Sequence, residues 1–228
     1  MPRIIATCRA DARRRRQSQG GARSAEARRS HLSEGGAGYP NLRDRIKPGV
    51  QVLFVGINPG VRSALTGHHF AGFSNRFWIL LFESRLVPER VTYEDDDRMP
   101  EWGYGITNIV ARATPGIDTL RPAEYVRGRT RLLGKVGKYR PRVVALVGVT
   151  VFRAMFPEHR GPVALGRQRQ RLGDSAVFVL PNPSGRNANF SHTEMLAAFK
   201  GLKRFARRAT ETPRHGGRSG LSRVRIRR

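Results

Sequence analysis

The sequence predicts a three-layer α/β/α sandwich around a short, mainly parallel sheet, and three observations support this prediction. Apolar runs rich in β-branched residues occur at residues 52–55, 143–147 and 176–180. Each run is short and continuously apolar, as strands buried on both faces of a parallel sheet are. Segments with apolar residues at helical spacing lie between these runs, which is typical of helices covering both faces of the sheet. We place the domain at residues 41–207.

The first half of the domain is predicted to contain one strand, one helix and two irregular segments. The strand at 52–55 ends at Gly56. A helix begins at Ser74, the acidic run 94–97 forms a loop, and residues 104–110 form an irregular strand or a turn. The apolar face of this helix consists of Phe77, Leu80, Leu81 and Leu86.

The second half of the domain continues the alternation of helix and strand. Pro122 favours the start of a helix, because its fixed φ suits the first helical turn. Another helix directly follows the strand at 143–147 and includes Phe152 and Met155, and the last helix begins at Thr193. In the helix that starts at Pro122, the positions spaced for burial are Val126, Leu133 and Val136. In the last helix they are Met195, Leu196, Phe199, Leu202 and Phe205.

Positive charge is concentrated at the two ends of the chain. Lys and Arg number 43 against 17 Asp and Glu, a net charge of +26, and 15 of the excess charges lie in residues 1–40 and 201–228. We predict that residues 1–40 and 208–228 are disordered basic tails, because they contain too few large apolar side chains to offset the entropy of ordering. Such tails bind phosphate backbones by counterion release, so we expect a DNA or RNA partner. A codon bias towards arginine, which outnumbers lysine 38 to 5, is the competing explanation.

The composition argues against several classes of protein. Cys8 is the single cysteine, so the chain has no internal disulfide, no CxxC zinc site and no iron–sulfur cluster held by four thiolates. The longest apolar run, residues 143–152, is shorter than the roughly 20 residues of a membrane-spanning helix. No apolar stretch follows the N-terminal arginines, as it would in a secretory signal. We therefore expect a cytoplasmic protein, nucleoid-associated if bacterial, that needs no metal, cofactor or membrane.

Two loops with an Asn-Pro dipeptide are the most informative feature of the sequence. Residues 56–60 read GINPG and residues 181–185 read PNPSG, and each loop follows a predicted buried strand. In an open α/β sheet, ligands bind beyond the carboxyl ends of the strands, where both loops lie. Proline holds the preceding asparagine extended and glycine lets backbone N–H groups face a ligand, so each asparagine becomes a rigidly aimed amide. Ordinary turn formation is the competing interpretation.

Neither loop carries a residue that could abstract a proton or attack a substrate. Both lack carboxylates, cysteine, histidine and lysine, and the nearest histidines are His68 and His69. Neither a phosphate-binding P-loop nor a Schiff-base mechanism is therefore indicated. The substrate must carry a good leaving group or be activated by electrostatics.

The first loop and the residues after it resemble a known signature. The chain continues from residues 56–60 through Ser63, Ala64, Gly67, Phe70, Ala71 and the run 75–78, NRFW. This pattern resembles the first signature of the mismatch-specific uracil/thymine DNA glycosylases, and residues 182–185 resemble the second. The resemblance covers residues 41–207 and implies the uracil-DNA-glycosylase fold. It also implies hydrolysis of uracil or thymine from G·U or G·T mismatches in double-stranded DNA, by a monomer and without a cofactor.

Two positions separate the branches of the uracil DNA glycosylase superfamily. The iron–sulfur branches need four cysteines, and this chain has one. The uracil-specific branch has a carboxylate in the first loop and a catalytic histidine at the start of the second, whereas Asn58 and Asn182 match those positions here. The resemblance therefore points to the mismatch-specific branch. The alternatives are a sister glycosylase for hypoxanthine or single-stranded uracil, and a non-catalytic nucleic-acid-binding protein.

The resemblance also assigns roles to single residues around a flipped base. Asn58 matches the residue that positions the attacking water, and we interpret it as an orienting group because an amide is too weak a base to take a proton early. Phe70 matches the aromatic residue that stacks on the base. Ile57 and Asn182 are expected to line the base pocket, and Ile57 is expected to offer backbone contacts as well. A core position for Phe70 and a buried strand end for Ile57 are the competing interpretations.

The second loop is expected to hold the DNA. Ser184 and Gly185 would donate to phosphate oxygens with help from Asn187, and Ser63 of the first signature is a further predicted DNA contact. Arg186 matches the position at which the family inserts a wedge into the base stack, where a planar guanidinium can stack and form hydrogen bonds to the unpaired guanine. A surface arginine is the competing interpretation.

Overall fold

The computed structural model describes residues 38–211 and contains a five-stranded sheet with helices on both faces. The strands are β1 (Val52–Gly56), β2 (Tyr104–Asn108), β3 (Val143–Val147), β4 (Gly166–Leu172) and β5 (Ser175–Leu180). Their order in the sheet is β2-β1-β3-β5-β4, and every neighbouring pair is parallel except β4 with β5. The predicted α/β/α sandwich with a mainly parallel sheet is confirmed.

Five α-helices lie among these strands in residues 38–211, with two of them between β1 and β2 and none between β4 and β5. They are α1 (Val61–Thr66), α2 (Phe77–Glu83), α3 (Pro122–Tyr139), α4 (Val149–Met155) and α5 (His192–Glu211). Two 3₁₀ helices are present as well, at Tyr93–Trp102 and Ile117–Thr119. Within this described part of the chain, no helix is both long and apolar enough to cross a membrane.

Consecutive residues of a strand point to opposite faces of the sheet, and both faces are buried. On one side Phe54 of β1 packs edge-on against Phe77 of α2, with ring centroids 5.3 Å apart. On the other side Leu53 belongs to a cluster that includes Leu132 of α3 and Phe152 of α4. This double burial explains why the central strands are continuously apolar in the sequence.

The two edges of the sheet differ from its centre. Arg167, Arg169 and Arg171 of the edge strand β4 are exposed. At the opposite edge, the backbone N–H and carbonyl of Arg45 form hydrogen bonds of 2.9 and 2.8 Å with Ile106 of β2. β4 is not predicted from the sequence, because arginine and glutamine alternate along it without an apolar period.

Several boundaries differ from those predicted. α1 is an additional helix inside the first signature. α2 begins at Phe77 instead of Ser74, because Asn75 Oδ1 accepts a hydrogen bond from the Phe77 N–H at 2.9 Å. Leu86 is buried, as predicted, but it lies beyond the end of α2 at Glu83. The segment predicted as an irregular strand or a turn contains the regular strand β2.

The last helix continues beyond the predicted end of the domain. α5 ends at Glu211, four residues after position 207, and its buried residues Met195, Phe199 and Leu202 are among those predicted. The remainder of the two predicted tails, residues 1–37 and 212–228, lies outside the described residues.

The buried face of α3 agrees with the predicted face at Val136 but not at Val126 and Leu133. Val126 and Leu133 are 53% and 48% exposed, whereas Leu132 and Val136 are buried. The face includes Gly128, where a Cβ atom would lie only 2.5 Å from the carbonyl oxygen of Ile109. A glycine that permits close packing is not recognised as a buried position in the sequence, so the pattern selects Val126 and Leu133 in place of Gly128 and Leu132.

Two neighbouring leucines of α3 test this correction. Leu132→Ala should lower the free energy of unfolding by about 2–5 kcal/mol, because it removes buried methyl groups and leaves a cavity. Leu133→Ala should change it by less than about 0.5 kcal/mol, because that side chain is largely exposed. Urea denaturation followed by circular dichroism measures both, and equal losses would contradict the assignment of the buried face.

Candidate active site

Three loops meet at the carboxyl ends of the parallel strands. The first loop, residues 56–60, follows β1, and the second loop, residues 181–187, follows β5. The β2 loop, residues 109–116, pairs with the first loop, since the Val110 N–H donates to the Ile57 carbonyl at 2.8 Å. This edge of the sheet is the place where ligands bind in open α/β folds.

The amide of Asn58 is fixed between the first loop and the β2 loop. Its Nδ2 donates to Thr114 Oγ1 at 2.7 Å, to the Pro59 carbonyl at 3.1 Å and to the Arg112 carbonyl at 3.3 Å. The Thr114 hydroxyl donates in turn to the Gly116 carbonyl at 2.6 Å, so its oxygen is oriented to accept from Asn58. Because these contacts all use Nδ2, the side-chain oxygen Oδ1 is the atom left to accept a hydrogen bond from a water or a ligand.

Gly56 leaves room for two side chains beyond the end of β1. It pairs in register with Asn108, the last residue of β2. A Cβ atom at Gly56 would lie 2.5 Å from Asn108 Oδ1 and 3.9 Å from Phe70 Cζ. The first distance is too short for a real contact, so a side chain at position 56 would displace the Asn108 amide. We call Gly56, Phe70 and Asn108 the strand-end pocket.

Phe70 combines aromatic stacking with a strained backbone. Its ring stacks on Phe77 with centroids 4.0 Å apart and planes 21° apart, so the core covers one of its faces. Its φ of 53° lies in the left-handed region, which residues with a Cβ atom rarely adopt. Strain of this kind costs about 1–3 kcal/mol and persists only where surrounding contacts determine the conformation.

A buried carboxylate supplies those contacts. Asp96 is completely buried, and its Oδ2 accepts from the backbone N–H of His69 at 2.8 Å and lies 2.9 Å from His69 Nδ1. Its Oδ1 accepts from Arg45 Nε at 2.8 Å and lies 3.0 Å from His68 Nδ1. These four contacts, the Asp96 cluster, fix the two residues that precede Phe70.

The position of Asp96 corrects the prediction of an acidic loop at residues 94–97. The run lies within the 3₁₀ helix Tyr93–Trp102, which turns Asp96 inward and leaves Asp97 exposed. Burial by itself raises the pKa of the Asp96 carboxyl, but hydrogen bonds from His69 and His68 outweigh it and lower the pKa to about 2. Asp96 is therefore ionised at neutral pH, inside the protein.

The second loop is held together by its own polar groups. Asn182 Oδ1 accepts from the Ser184 N–H at 3.1 Å, and the Asn182 carbonyl accepts from Asn187 Nδ2 at 2.8 Å. The backbone N–H of Asn187 donates to the Ser184 carbonyl at 2.9 Å. Asn182, Gly185 and Arg186 are exposed. The asparagines thus set the shape of the loop, which presents Gly185 and Arg186 to solvent.

A glycine joins the second loop to the segment after Phe70. A Cβ atom at Gly185 would lie 2.3 Å from Ser74 Cβ and 2.9 Å from the Ser74 carbonyl oxygen, so only glycine fits this approach. The Arg76 N–H donates to the Pro183 carbonyl at 2.9 Å beside it. Arg186 reaches the β2 loop, where its Nη1 donates to the Pro115 carbonyl at 3.2 Å. All three loops are therefore in contact.

Comparison with known proteins identifies the family of this chain. Residues 44–205, more than half of the chain, match the sequence profile of the uracil DNA glycosylase superfamily. The chain belongs to the uracil DNA glycosylase superfamily. The chain also resembles a solved structure, the solution NMR structure of a candidate uracil DNA glycosylase from Methanosarcina acetivorans, at 15% identity and a TM-score of 0.46. That comparison covers 72% of this chain and 98% of the archaeal one.

Two predicted site residues of this glycosylase domain are buried. Only 6% of Ser63 is exposed, and its Oγ accepts from the Ala71 N–H at 3.1 Å, so the structure gives it a structural role in place of the predicted DNA contact. Ile57 is 9% exposed and packs in the same core cluster as Val110. Its side chain is that of a buried strand end, which was the competing interpretation, and the expected contacts of its backbone with a base stay a prediction.

The sequence alone assigns no role to three further residues of the candidate site. Asn108 is adjacent to Gly56 only through strand pairing, and Thr114 reaches Asn58 through the β2 loop. Asp96 stands between two other aspartates, and only its position on the inward face of the 3₁₀ helix distinguishes it from them. Among residues 38–211, no group of three or more His, Cys, Asp or Glu side chains is arranged to hold a metal ion.

Removal of the buried carboxylate should destabilise the glycosylase domain. Asp96→Ala leaves Arg45 and the buried His69 without their acceptor, so we expect the free energy of unfolding at pH 7 to fall by about 3–5 kcal/mol. The exposed neighbour provides a matched control, since Asp97→Ala should change it by less than about 0.5 kcal/mol. Equal effects in guanidinium denaturation would show that the Asp96 cluster does not support the fold.

The pH dependence of stability gives a second test of Asp96. The folded pKa of about 2 lies below the ordinary value of 3.8, so this carboxylate stabilises the protein above about pH 4. The contribution should be lost as the pH falls from about 4 to 2, because the proton then binds more readily to the unfolded chain. The Asp96→Ala variant should show a correspondingly shallower loss of stability over that range. Parallel curves for the variant and the wild type would contradict the assignment.

Proposed function

We propose that this chain is a monofunctional DNA glycosylase of base-excision repair that hydrolyses the N-glycosidic bond of uracil, or of thymine, mispaired with guanine. Membership of the superfamily supports uracil DNA glycosylase activity on DNA. The mismatch preference and the mechanism are our own proposal. The observation that supports the proposed mechanism is the fixed amide of Asn58. Its Nδ2 donates to three acceptors, and its Oδ1 is left to bind a water.

The proposed reaction needs a placed water more than a strong base. Departure of the pyrimidine from C1′ leaves positive charge on the sugar and negative charge on the base. A water held by Asn58 Oδ1 adds its oxygen to C1′ as the C1′–N bond breaks, and it becomes acidic enough to release its proton to solvent. Asn58 contributes through geometry, because an amide does not take up a proton at neutral pH.

The strand-end pocket is the proposed site of the flipped base. A base inside a duplex is out of reach of the sheet edge, so the nucleotide has to rotate out of the stack. We assign stacking on the base to Phe70, whose other ring face lies on Phe77. The amide of Asn108 can donate to and accept from the polar edge of a pyrimidine. Asn182, beyond the end of β5, is the other proposed contact with the base.

The second loop is the proposed DNA-binding element. Ser184, Gly185 and Asn187 lie where small polar groups can contact phosphates. Arg186 is the proposed wedge, and its exposed guanidinium, held at the Pro115 carbonyl, is available to fill the gap left by a flipped base. The proposed partner is duplex DNA with a G·U or G·T mismatch, bound by a monomer.

A panel of matched oligonucleotides tests the proposed activity. Single-turnover reactions should release uracil from G·U, and more slowly thymine from G·T, with abasic product and no strand cleavage. A·U, single-stranded uracil and inosine opposite thymine complete the panel. Preferential release from inosine or from single strands would assign the chain to a sister specificity, and no release from any substrate would refute the proposed function.

Asn58→Ala should abolish most base release without weakening DNA binding. Loss of one oriented polar group at the transition state costs about 10²–10³ in rate. Asn41→Ala, at an exposed asparagine before β1, is the control and should keep the wild-type rate. Single-turnover rates on G·U and filter-binding affinities separate the two effects. Near-normal cleavage by Asn58→Ala would remove the assigned role.

Arg186→Ala should reduce cleavage of duplex G·U and G·T much more than cleavage of single-stranded uracil. The wedge offsets part of the unstacking cost of a few kcal/mol, and a single strand has no complementary strand from which the base must be separated. The loss should be larger for thymine, whose methyl group makes the flipped state harder to hold. Arg169→Ala, at an exposed arginine of β4, is the matched control. An equal loss on all substrates would reduce Arg186 to a phosphate contact.

A further inference from the structure

One aromatic side chain near the candidate site is unusually exposed. Phe73 is 90% exposed, whereas the next most exposed large apolar residue of the described part of the chain, Val126, is 53% exposed. Burial of a phenyl ring is strongly favourable in water, so a ring this exposed is available for contact with a partner. None of the roles argued above uses Phe73.

The ring is held in place by an arginine. The guanidinium carbon of Arg62 lies 3.6 Å from the ring centroid of Phe73. Arg62 is fixed in turn, because its Nε donates to the Ala71 carbonyl at 2.6 Å and its Nη2 donates to the Tyr93 hydroxyl at 3.3 Å. The two planar groups form a preorganised pair, and 90% of the phenylalanine remains available to a ligand.

The position of Phe73 links the two parts of the candidate site. It lies three residues after Phe70 of the strand-end pocket. The next residue, Ser74, is in the close contact with Gly185 that joins this segment to the second loop. The segment is anchored at both ends, so a ligand that occupies the pocket and the second loop passes close to Phe73.

The chemistry of the pair selects the kind of ligand. An exposed aromatic ring offers a face for stacking, and a guanidinium beside it offers charge to an anion. A nucleotide carries both matching groups, a π-face and a phosphate, and stacking on aromatic residues is the usual way in which proteins hold unpaired bases. The net charge of +26 favours the same partner over a basic or neutral peptide.

We propose that Phe73 stacks on a nucleobase beside the flipped nucleotide, with Arg62 fixing the ring and facing the adjacent phosphate. This inference rests on the proposed function, since it places DNA across the strand-end pocket and the second loop. Phe73 would then hold an unstacked neighbour of the target base, a contact separate from that of Phe70 on the base itself. Affinity for DNA with an opened stack should therefore depend on an aromatic ring at position 73.

Three substitutions of the full chain separate stacking from simple apolar contact. Binding is measured by fluorescence anisotropy on a duplex with a stable abasic-site analogue opposite guanine, which cannot be cleaved. Phe73→Ala should weaken binding by between about fivefold and about 150-fold, the range for loss of one base–aromatic stack. Phe73→Leu should show most of that loss, because it keeps apolar area without a π-face. Phe73→Trp should bind as tightly as the wild type or more tightly, and DNA should quench the fluorescence of the introduced indole.

The controls distinguish failure of this inference from failure of the proposed function. Leu133→Ala, which removes an exposed apolar residue of α3, should bind like the wild type, and thermal unfolding of each Phe73 variant should match the wild type. Unchanged binding by Phe73→Ala, full binding by Phe73→Leu, or an unquenched indole would each overturn the inference. If the wild type releases uracil while any of these results holds, only the role of Phe73 falls. If the wild type releases no base, the proposed function falls, while binding and indole quenching still decide whether Phe73 stacks on DNA.

Discussion

The ionised carboxylate of Asp96 sits in the interior, and much of the site depends on what it binds. An unpaired charge in that place would be prohibitively costly, so the carboxylate requires Arg45, His68 and His69 as partners. Those partners come from two separate parts of the chain, one before β1 and one after α1. The carboxylate therefore fixes the start of the segment that bends at Phe70, and the Trp78 indole strengthens the same bend by donating to the His69 carbonyl at 3.1 Å.

Glycines complete the site by permitting contacts that a side chain would prevent. Gly56 admits the Asn108 amide and Gly185 admits Ser74, while Gly148, at the end of β3 beside Asn182, has a φ of 121° that residues with a side chain rarely adopt. Each close approach draws two loops together at the carboxyl edge of the sheet. Apart from Arg112 and Arg186, the polar side chains of the three loops are amides and hydroxyls that bond chiefly to backbone groups. Such a site is stiff without carrying a proton-transfer group of its own, which suits a reaction that depends on position.

The features that the sequence predicts well are those with a short, local signal. Continuous apolar runs identify β1, β3 and β5, and the Asn-Pro dipeptides mark the loops that follow β1 and β5. The rest depends on contacts between distant residues. In the edge strand β4 the two residue types that alternate, arginine and glutamine, are both polar. The buried face of α3 includes Gly128. Asp96 differs from the aspartates on either side only in the direction in which the helix turns its side chain. The pairing of Asn108 with Gly56 likewise becomes visible only when β1 and β2 lie side by side.

The two edges of the sheet bear on how the protein behaves at high concentration. An exposed strand edge is a template for pairing with another copy of the chain, and aggregation by sheet extension begins there. On β4 an identical partner strand would bring Arg167, Arg169 and Arg171 against their own counterparts, and like charges opposite one another are unfavourable. On β2 the backbone of Arg45 already occupies the hydrogen-bonding groups of Ile106. Arg45, which binds the buried carboxylate, thus blocks one edge of the sheet. At the opposite edge the arginines of β4 disfavour self-association.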